Sequence, residues 1–317
     1  MSATNPLTKP GALPTGSLDT VSVSTAGSRR GRPAEHETRG RRPRGARRKP
    51  NIVGGIGAWI WLLIIVLPIY YIVITSVRPQ AGFFSSNQLI PPTDPTLDGY
   101  ALVLQSDFFL YLGNSVIITV ASVAVTVFVC LMASYAIVRT NSRFTRGAFS
   151  FFLLGLAIPL QATIIPLFYM LSKAGLYDTL LALILPSIGF AVPVTVLILS
   201  NFIRDIPKEL FESMTVDGAS SWRTLVSLVL PLARPAIVTV ALYNALNVWN
   251  GFLFPLVLTQ SPSNRVLPLS LWTFQGSFSV NVPAVLAAVV LSTLPIFILY
   301  LFGRRQLISG MTAGFSK

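Results

Sequence analysis

The chain has 317 residues, 52% of them hydrophobic and 11% charged, with a net charge of +13. Soluble domains carry roughly a quarter charged residues, so lipid is the expected surroundings. One cysteine, Cys130, excludes an internal disulfide or a cysteine metal site, and one histidine, His36, leaves the apolar part without the commonest general base. No catalytic residue, metal site or cofactor is expected, and the chain is not read as an enzyme.

Residues 1–50 are rich in Ser, Thr, Gly, Pro and Arg, and eleven Lys/Arg against Asp19, Glu35 and Glu37 give them +8 of the net charge. They offer too little apolar surface to offset chain entropy and read as a disordered basic tail. The run Arg39–Lys49 has a composition that can bind nucleic acid. It adjoins a long apolar segment, however, and anionic headgroups explain it as well; membrane lipid, not nucleic acid, is taken as its partner.

Residues 51–317 read as an all-α integral membrane domain. Uncharged apolar stretches run over about 54–77, 112–138, 148–171, 179–203, 236–258 and 283–303, each 21 to 27 residues long. About 20 residues suffice for a helix to cross the hydrocarbon layer, and open strands would leave backbone groups unpaired there. Six transmembrane helices are therefore expected. Arg139, Arg143, Arg146, Arg204, Lys208, Arg223, Arg234, Arg304 and Arg305 fall on the side of the basic tail, against Arg78, Lys173 and Arg265 on the other. The positive-inside rule makes both termini cytoplasmic, in agreement with an even number of spans.

None of the six stretches holds Asp, Glu, Lys, Arg or His. Ion-coupled carriers place ionisable groups near the midplane, and a charged solute would need compensation there, so an externally powered path for a neutral, hydroxyl-rich solute fits better. Candidate path residues are Asn114, Gln161, Asn244, Asn247, Trp249 and Asn250: amides for sugar hydroxyls and an indole for a sugar face. The same amides can instead join helices across a bundle. Prolines at 159, 166, 186, 193, 255 and 295 can kink helices around a pathway.

The cytoplasmic loop 204–235 carries the most information. Pro207 suits a helix start, and Leu210, Phe211, Met214 and Val216 form an apolar stripe opposite Lys208, Glu209 and Glu212. Asp217-Gly218 breaks that helix, Ser220 or Ser221 can cap a second, and Pro231 and Pro235 mark the entry to the fifth span. Such a two-helix knob can transmit force from a soluble motor or rest in the headgroups.

This loop resembles the EAA loop of ABC importer permeases: Glu-Ala-Ala, three residues, Gly, nine residues, Ile, one residue, Leu-Pro. Glu212, Gly218, Leu228, Leu230 and Pro231 take those positions, with Ser213 and Met214 in place of the alanines and Leu228 in place of isoleucine. The chain is also similar to the carbohydrate, MalG-like branch in Ile206, Pro207, Glu209, Leu210, Asp217 and Ala219. Further matches are Pro95–Tyr100 before Asn114-Ser115, Trp249-Asn250 before Phe254-Pro255-Leu256, and Arg305 through Gly314.

The resemblance implies the type I (MetI-like) permease fold and a subunit of an ATP-driven importer of sugars or oligosaccharides. Glu209, Glu212, Ser213, Met214, Asp217, Gly218, Ala219 and Pro231 would then form the ATPase-coupling site. It further implies four kinds of neighbour: a second permease in a heterodimer, two cytoplasmic ABC ATPase subunits, an extracytoplasmic solute-binding protein, and lipid. The segments 78–110 and 259–282 would be the docking surfaces for the binding protein, although their Pro, Gly and aromatic content suits simple connectors equally well. The chain itself has no Gly-Lys-Ser/Thr phosphate loop, in keeping with ATP hydrolysis on separate subunits. The alternatives are a stand-alone channel or secondary carrier, which would not need the Glu212–Pro231 spacing, and a membrane-embedded glycosyltransferase or protease, for which the spans supply no acids or bases.

Overall fold

The structure is a computed structural model and describes residues 52–85, 87–140, 142–274 and 280–313. The basic tail, expected to be disordered, lies outside the described residues. All regular elements among the described residues are helices.

The first helix, α1 (Ile52–Ser76), is apolar on every face and exposed along nearly its whole length, Trp59 and Trp61 included. A helix with no polar face has nowhere stable to sit but lipid or a protein interior. It is tied to the rest at its C-terminal end, where Tyr71 donates to Gln88 Oε1 at 3.2 Å and Ser76 Oγ lies 2.8 Å from the Tyr100 hydroxyl. The connection that follows contains α2 (Asp98–Gln105) and leads into α3 (Phe108–Arg139), a 32-residue helix that starts before the expected 112.

The third apolar stretch departs from expectation. In place of one straight span over 148–171 stand α4 (Arg143–Leu154) and α5 (Leu160–Lys173), whose axes differ by 102°. The break is local chemistry: Pro159 has no N–H for the helix ladder and drives the preceding Ile158 to extended backbone (φ −83°, ψ 113°). Gly155 lies just before it, and a Cβ built there would stand 2.6 Å from Cγ of Pro193, so only glycine lets the end of α4 approach the neighbouring helix. That neighbour, α6 (Leu181–Arg204), runs unbroken through Pro186 and Pro193.

Next come α7 (Lys208–Val216), α8 (Ser221–Thr224), a π-turn over Leu225–Val229, and α9 (Leu230–Leu232). The π-turn ends two residues before Pro231, which cannot donate to the ladder and would crowd the carbonyl a turn earlier. The fifth span, expected over 236–258, is also corrected. The segment Ser221–Leu232 meets α10 (Arg234–Trp249) at 75°, α10 stops at Trp249, and a separate α11 (Leu253–Leu258) follows. After α12 (Leu267–Ser270) the last helix, α13 (Val282–Ala313), extends past the expected 303. Among the described residues, four helices are long and apolar enough to cross a membrane, and the two bent pairs make six if each crosses once.

The centre of the domain is the pair α3 and α6, which pack more extensively than any other two helices. Ser115, Thr119, Ser122, Thr126, Cys130 and Ser134 recur every three or four residues along one buried line of α3. Small side chains let backbones approach closely where burial of apolar surface supplies no net drive between helices in lipid. Ser134 Oγ donates to the Val196 carbonyl at 3.4 Å. The two helices run parallel: Ile118 shares a core with Leu183 near their starts, and Cys130 and Leu131 share another with Val196 and Ile203 towards their ends.

Candidate functional sites: a cavity at the helix breaks and an exposed two-helix knob

A cavity of about 480 Å³ opens where the helix breaks converge, between the α4–α5 bend, α6, α10 and the start of α11. Its polar lining is Ser115, Gln161, Ser187, Tyr243, Asn244 and Asn247, and its aromatic lining is Phe190, Tyr243, Trp249, Phe252 and Phe254. Among the described residues, no Asp, Glu, Lys, Arg or His lines it. Neutral hydrogen-bonding groups beside aromatic walls suit a solute with hydroxyls and apolar faces and give an ion no counter-charge.

The six candidate path residues separate. Gln161 and Asn247 line the cavity and are exposed. Asn244 lines it too but is only 2% exposed, and its Nδ2 donates to Thr195 Oγ1 at 2.9 Å, joining α10 to α6. Trp249 also lines the cavity but is only 7% exposed, clusters with Phe108, Tyr111 and Ala288, and donates its indole N–H to the Ser292 carbonyl. Asn250 is absent from the lining and caps α10 by donating to the Leu246 carbonyl. Asn114 is likewise absent, since both its amide hydrogens go to the outer connection, to the carbonyls of Ser263 and Arg265 at 2.8 Å each. Sequence reasoning missed the aromatics Phe190, Tyr243, Phe252 and Phe254, which ordinary membrane-helix composition conceals.

The connection after α11 is clamped a second time, from the turn between α5 and α6. Asp178, at φ +57°, accepts from the backbone N–H groups of Gln260 and Ser261 at 2.9 and 3.0 Å, from the Ser261 hydroxyl, and from Asn264 Nδ2. The Ser261 hydroxyl lowers its pKa most; desolvation, the next largest effect, opposes it, and the backbone and amide donors add to the lowering, which takes the pKa from 3.8 to about 2. Ser115 Oγ completes the fastening by accepting from the Leu267 N–H.

Because the folded-state pKa is depressed, the clamp's contribution is fully present above about pH 4 and is lost as pH falls towards 2. Asp178→Asn should speed hydrogen exchange at Gln260 and Ser261 by about tenfold, the equivalent of one ordinary hydrogen bond. Loosening of the wild-type connection between pH 7 and 5, or an unchanged rate in the variant, would contradict this account.

At the opposite end of α3 and α6 stands the knob formed by α7 and α8. Only part of the expected apolar stripe turns inward: Phe211 is 3% exposed and Met214 half-buried, whereas Leu210 is exposed and Val216 is 87% exposed. A nine-residue helix that buries one aromatic anchor leaves its remaining faces free for a partner. The helix ends in a Schellman turn, in which Ala219 N–H donates to the Met214 carbonyl and Gly218 N–H to that of Thr215. Gly218 adopts φ +69°, which glycine accepts without strain. Ser220 then caps α8 by accepting from the Arg223 N–H. Glu209, Glu212, Ser213 and Asp217 are exposed around this turn, and Ala219 half-buried within it; Pro231 lies beyond the π-turn.

A family model described as "Binding-protein-dependent transport system inner membrane component" matches residues 126–309. The relative named "Putative ABC transporter permease protein ORF2" of Caldicellulosiruptor sp. (strain Rt8B.4) is 40% identical over 258 residues, covering 81% of this chain and 94% of its own. The trehalose/maltose transport system permease protein MalG of Thermococcus litoralis is 32% identical over 268 residues, covering 83% of this chain and 95% of its own. Among solved structures, a chain of a bacterial ABC transporter involved in import of the acidic polysaccharide alginate superposes with a TM-score of 0.72 at 23% identity, over 80% of this chain and 95% of that one.

Proposed function

Because the chain belongs to the family of binding-protein-dependent transport system inner membrane components, we propose that it is a sugar or oligosaccharide permease subunit of an ABC importer, coupled to cytoplasmic ATPases through the α7–α8 knob. The observation that carries this reading is the knob itself. A short helix anchored by Phe211 and closed by Gly218 presents Glu212 outward at the EAA spacing, as a part made to enter another protein would.

The bent α4–α5 pair counts as one span in this reading and α10 with α11 as another, giving six, with both termini cytoplasmic. Support comes from the parallel course of α3 and α6 and from Arg139, Arg204, Lys208 and Arg223 gathering at one end of them. The partners are a second permease, two ATPase subunits and a solute-binding protein that meets the clamped outer connections. The cavity would form this subunit's part of the path, and the half-helix ends around it follow a general transporter plan, in which irregular backbone is tolerated where it lines a cavity. The solved alginate importer shares the fold only, so its acidic cargo says little of the cargo here.

The test is uptake by proteoliposomes carrying the assembled complex. Accumulation should require ATP, and neutral saccharides should compete with the transported sugar at least about tenfold better than uronates or sulfonated sugars of equal size, since burying an uncompensated charge costs well over 1.4 kcal/mol. Uptake by this chain without ATPase subunits would establish a stand-alone carrier instead.

A further inference from the structure

The cavity just described is not the only one with a pronounced chemical character. Beside the knob lies a cleft of about 730 Å³ between the α3–α4 corner, the end of α6 and the start of α7. Among the described residues, four cations, Arg139, Arg146, Arg204 and Lys208, line it against one carboxylate, Glu212. Two of the cations are held in place by rings: the Arg139 guanidinium sits 4.5 Å from the centroid of Phe211, and that of Arg204 sits 4.7 Å from the centroid of Phe149.

Stacking on a ring fixes the plane of a guanidinium while leaving its edge N–H groups open. Among the described residues, Arg204 donates only to the amide oxygen of Asn201 and Arg146 only to the Ser142 carbonyl, both through long bonds of 3.3 and 3.4 Å. None of the four is paired with a carboxylate there. Four like charges around one cleft repel one another, and an anion with several oxygens relieves that repulsion while accepting from more than one fork.

We propose that this cleft is a binding site for a phosphate-bearing anion, seated between Arg139, Arg146, Arg204 and Lys208. In the orientation proposed above it lies at the cytoplasmic headgroup level, where the phosphate of an anionic lipid and a soluble phosphate both have access. The site stands on the cleft's own side chains and is tested by binding, so its failure and failure of the transport reading are separate results. Occupancy would link the root of the knob to the ends of two membrane helices through one ligand.

The experiment uses the assembled complex in phosphatidylcholine nanodiscs and reads hydrogen exchange of residues 139–146 and 204–212. One arm adds phosphatidylglycerol to the bilayer, and the other titrates inorganic phosphate. Protection by the lipid alone identifies a headgroup site, and protection by phosphate alone a soluble-anion site. Arg146→Gln with Lys208→Gln, neither of which stacks on a ring, should weaken the effective anion by about thirtyfold, taking roughly fivefold per cation near a surface. Arg143→Gln with Arg223→Gln removes the same charge from exposed positions outside the lining and should change it less than about twofold. Absence of protection by either anion, or an equal loss in the Arg143/Arg223 control, would overturn the site.

Discussion

Glu212→Ala and Gly218→Asp should each abolish ATP-driven uptake while leaving the chain in the membrane at wild-type level. Neither change touches the interior. Glu212 is exposed and makes no ion pair among the described residues, so its loss removes little from this chain's own stability. Nothing lies within 4 Å of a Cβ built on Gly218, so a side chain there meets open space. The backbone cost at φ +69° is about 1–2 kcal/mol, and Asp tolerates this region better than most residues.

What both changes do alter is the surface offered to a partner. Removing one member of a buried, charge-assisted contact costs about 2–5 kcal/mol of docking energy, enough to weaken association by thirtyfold or more. Asp at position 218 fills the space that a neighbouring cleft would need and adds a negative charge beside Asp217. The measurement is solute-stimulated ATP turnover of the reconstituted complex, alongside quantification of membrane-inserted protein. Normal stimulated turnover in both variants would mean that force does not enter through this knob.

How much of this was legible in the sequence follows from the range of each interaction. Lipid-spanning segments are a property of local composition, and α1, α3, α6 and α13 stand where uncharged runs of 20 or more residues place them. The knob is also local: Pro207, Gly218 and Ser220 act on neighbours within five residues, and the helix, turn and helix follow from them. The bends are a different matter. Pro159, Pro166, Pro186 and Pro193 read alike in a hydropathy window, yet only Pro159 ends a helix. Next to it the chain has left the α-ladder at Gly155, whose missing side chain admits Pro193 from another helix.

Which of the candidate path residues face the cavity was not legible for the same reason. Asn114 finds its acceptors 149 and 151 positions away, and Trp249 finds its own 43 away. An amide or indole in an apolar run is equally suited to a solute and to a distant carbonyl. Only the tertiary structure separates them: it leaves Gln161 and Asn247 open to the cavity, keeps Asn244 and Trp249 largely buried at its wall, and places Asn114 and Asn250 outside the lining.

That division yields the second large effect, a contrast between two asparagines one helical turn apart. Asn247→Ala should slow sugar uptake about tenfold with no change in thermal stability, the cost of one hydrogen bond to solute at an exposed position whose present bond is to the Tyr243 carbonyl of its own helix. Asn244→Leu should do the reverse and lower stability by about 0.6–2 kcal/mol, the range for a polar contact between membrane helices. Thr195 is not orphaned by that change, because its hydroxyl donates to the Ala191 carbonyl at 2.7 Å, so the chain still folds and its transport can be compared. Tyr243→Ala, which removes a cavity wall, should act with Asn247→Ala less than additively if both contact the same solute. The readouts are initial uptake rate and melting temperature of the reconstituted complex for each variant. Equal transport in wild type and Asn247→Ala, or independent addition with Tyr243→Ala, would place the solute elsewhere and return the cavity to the bundle's packing.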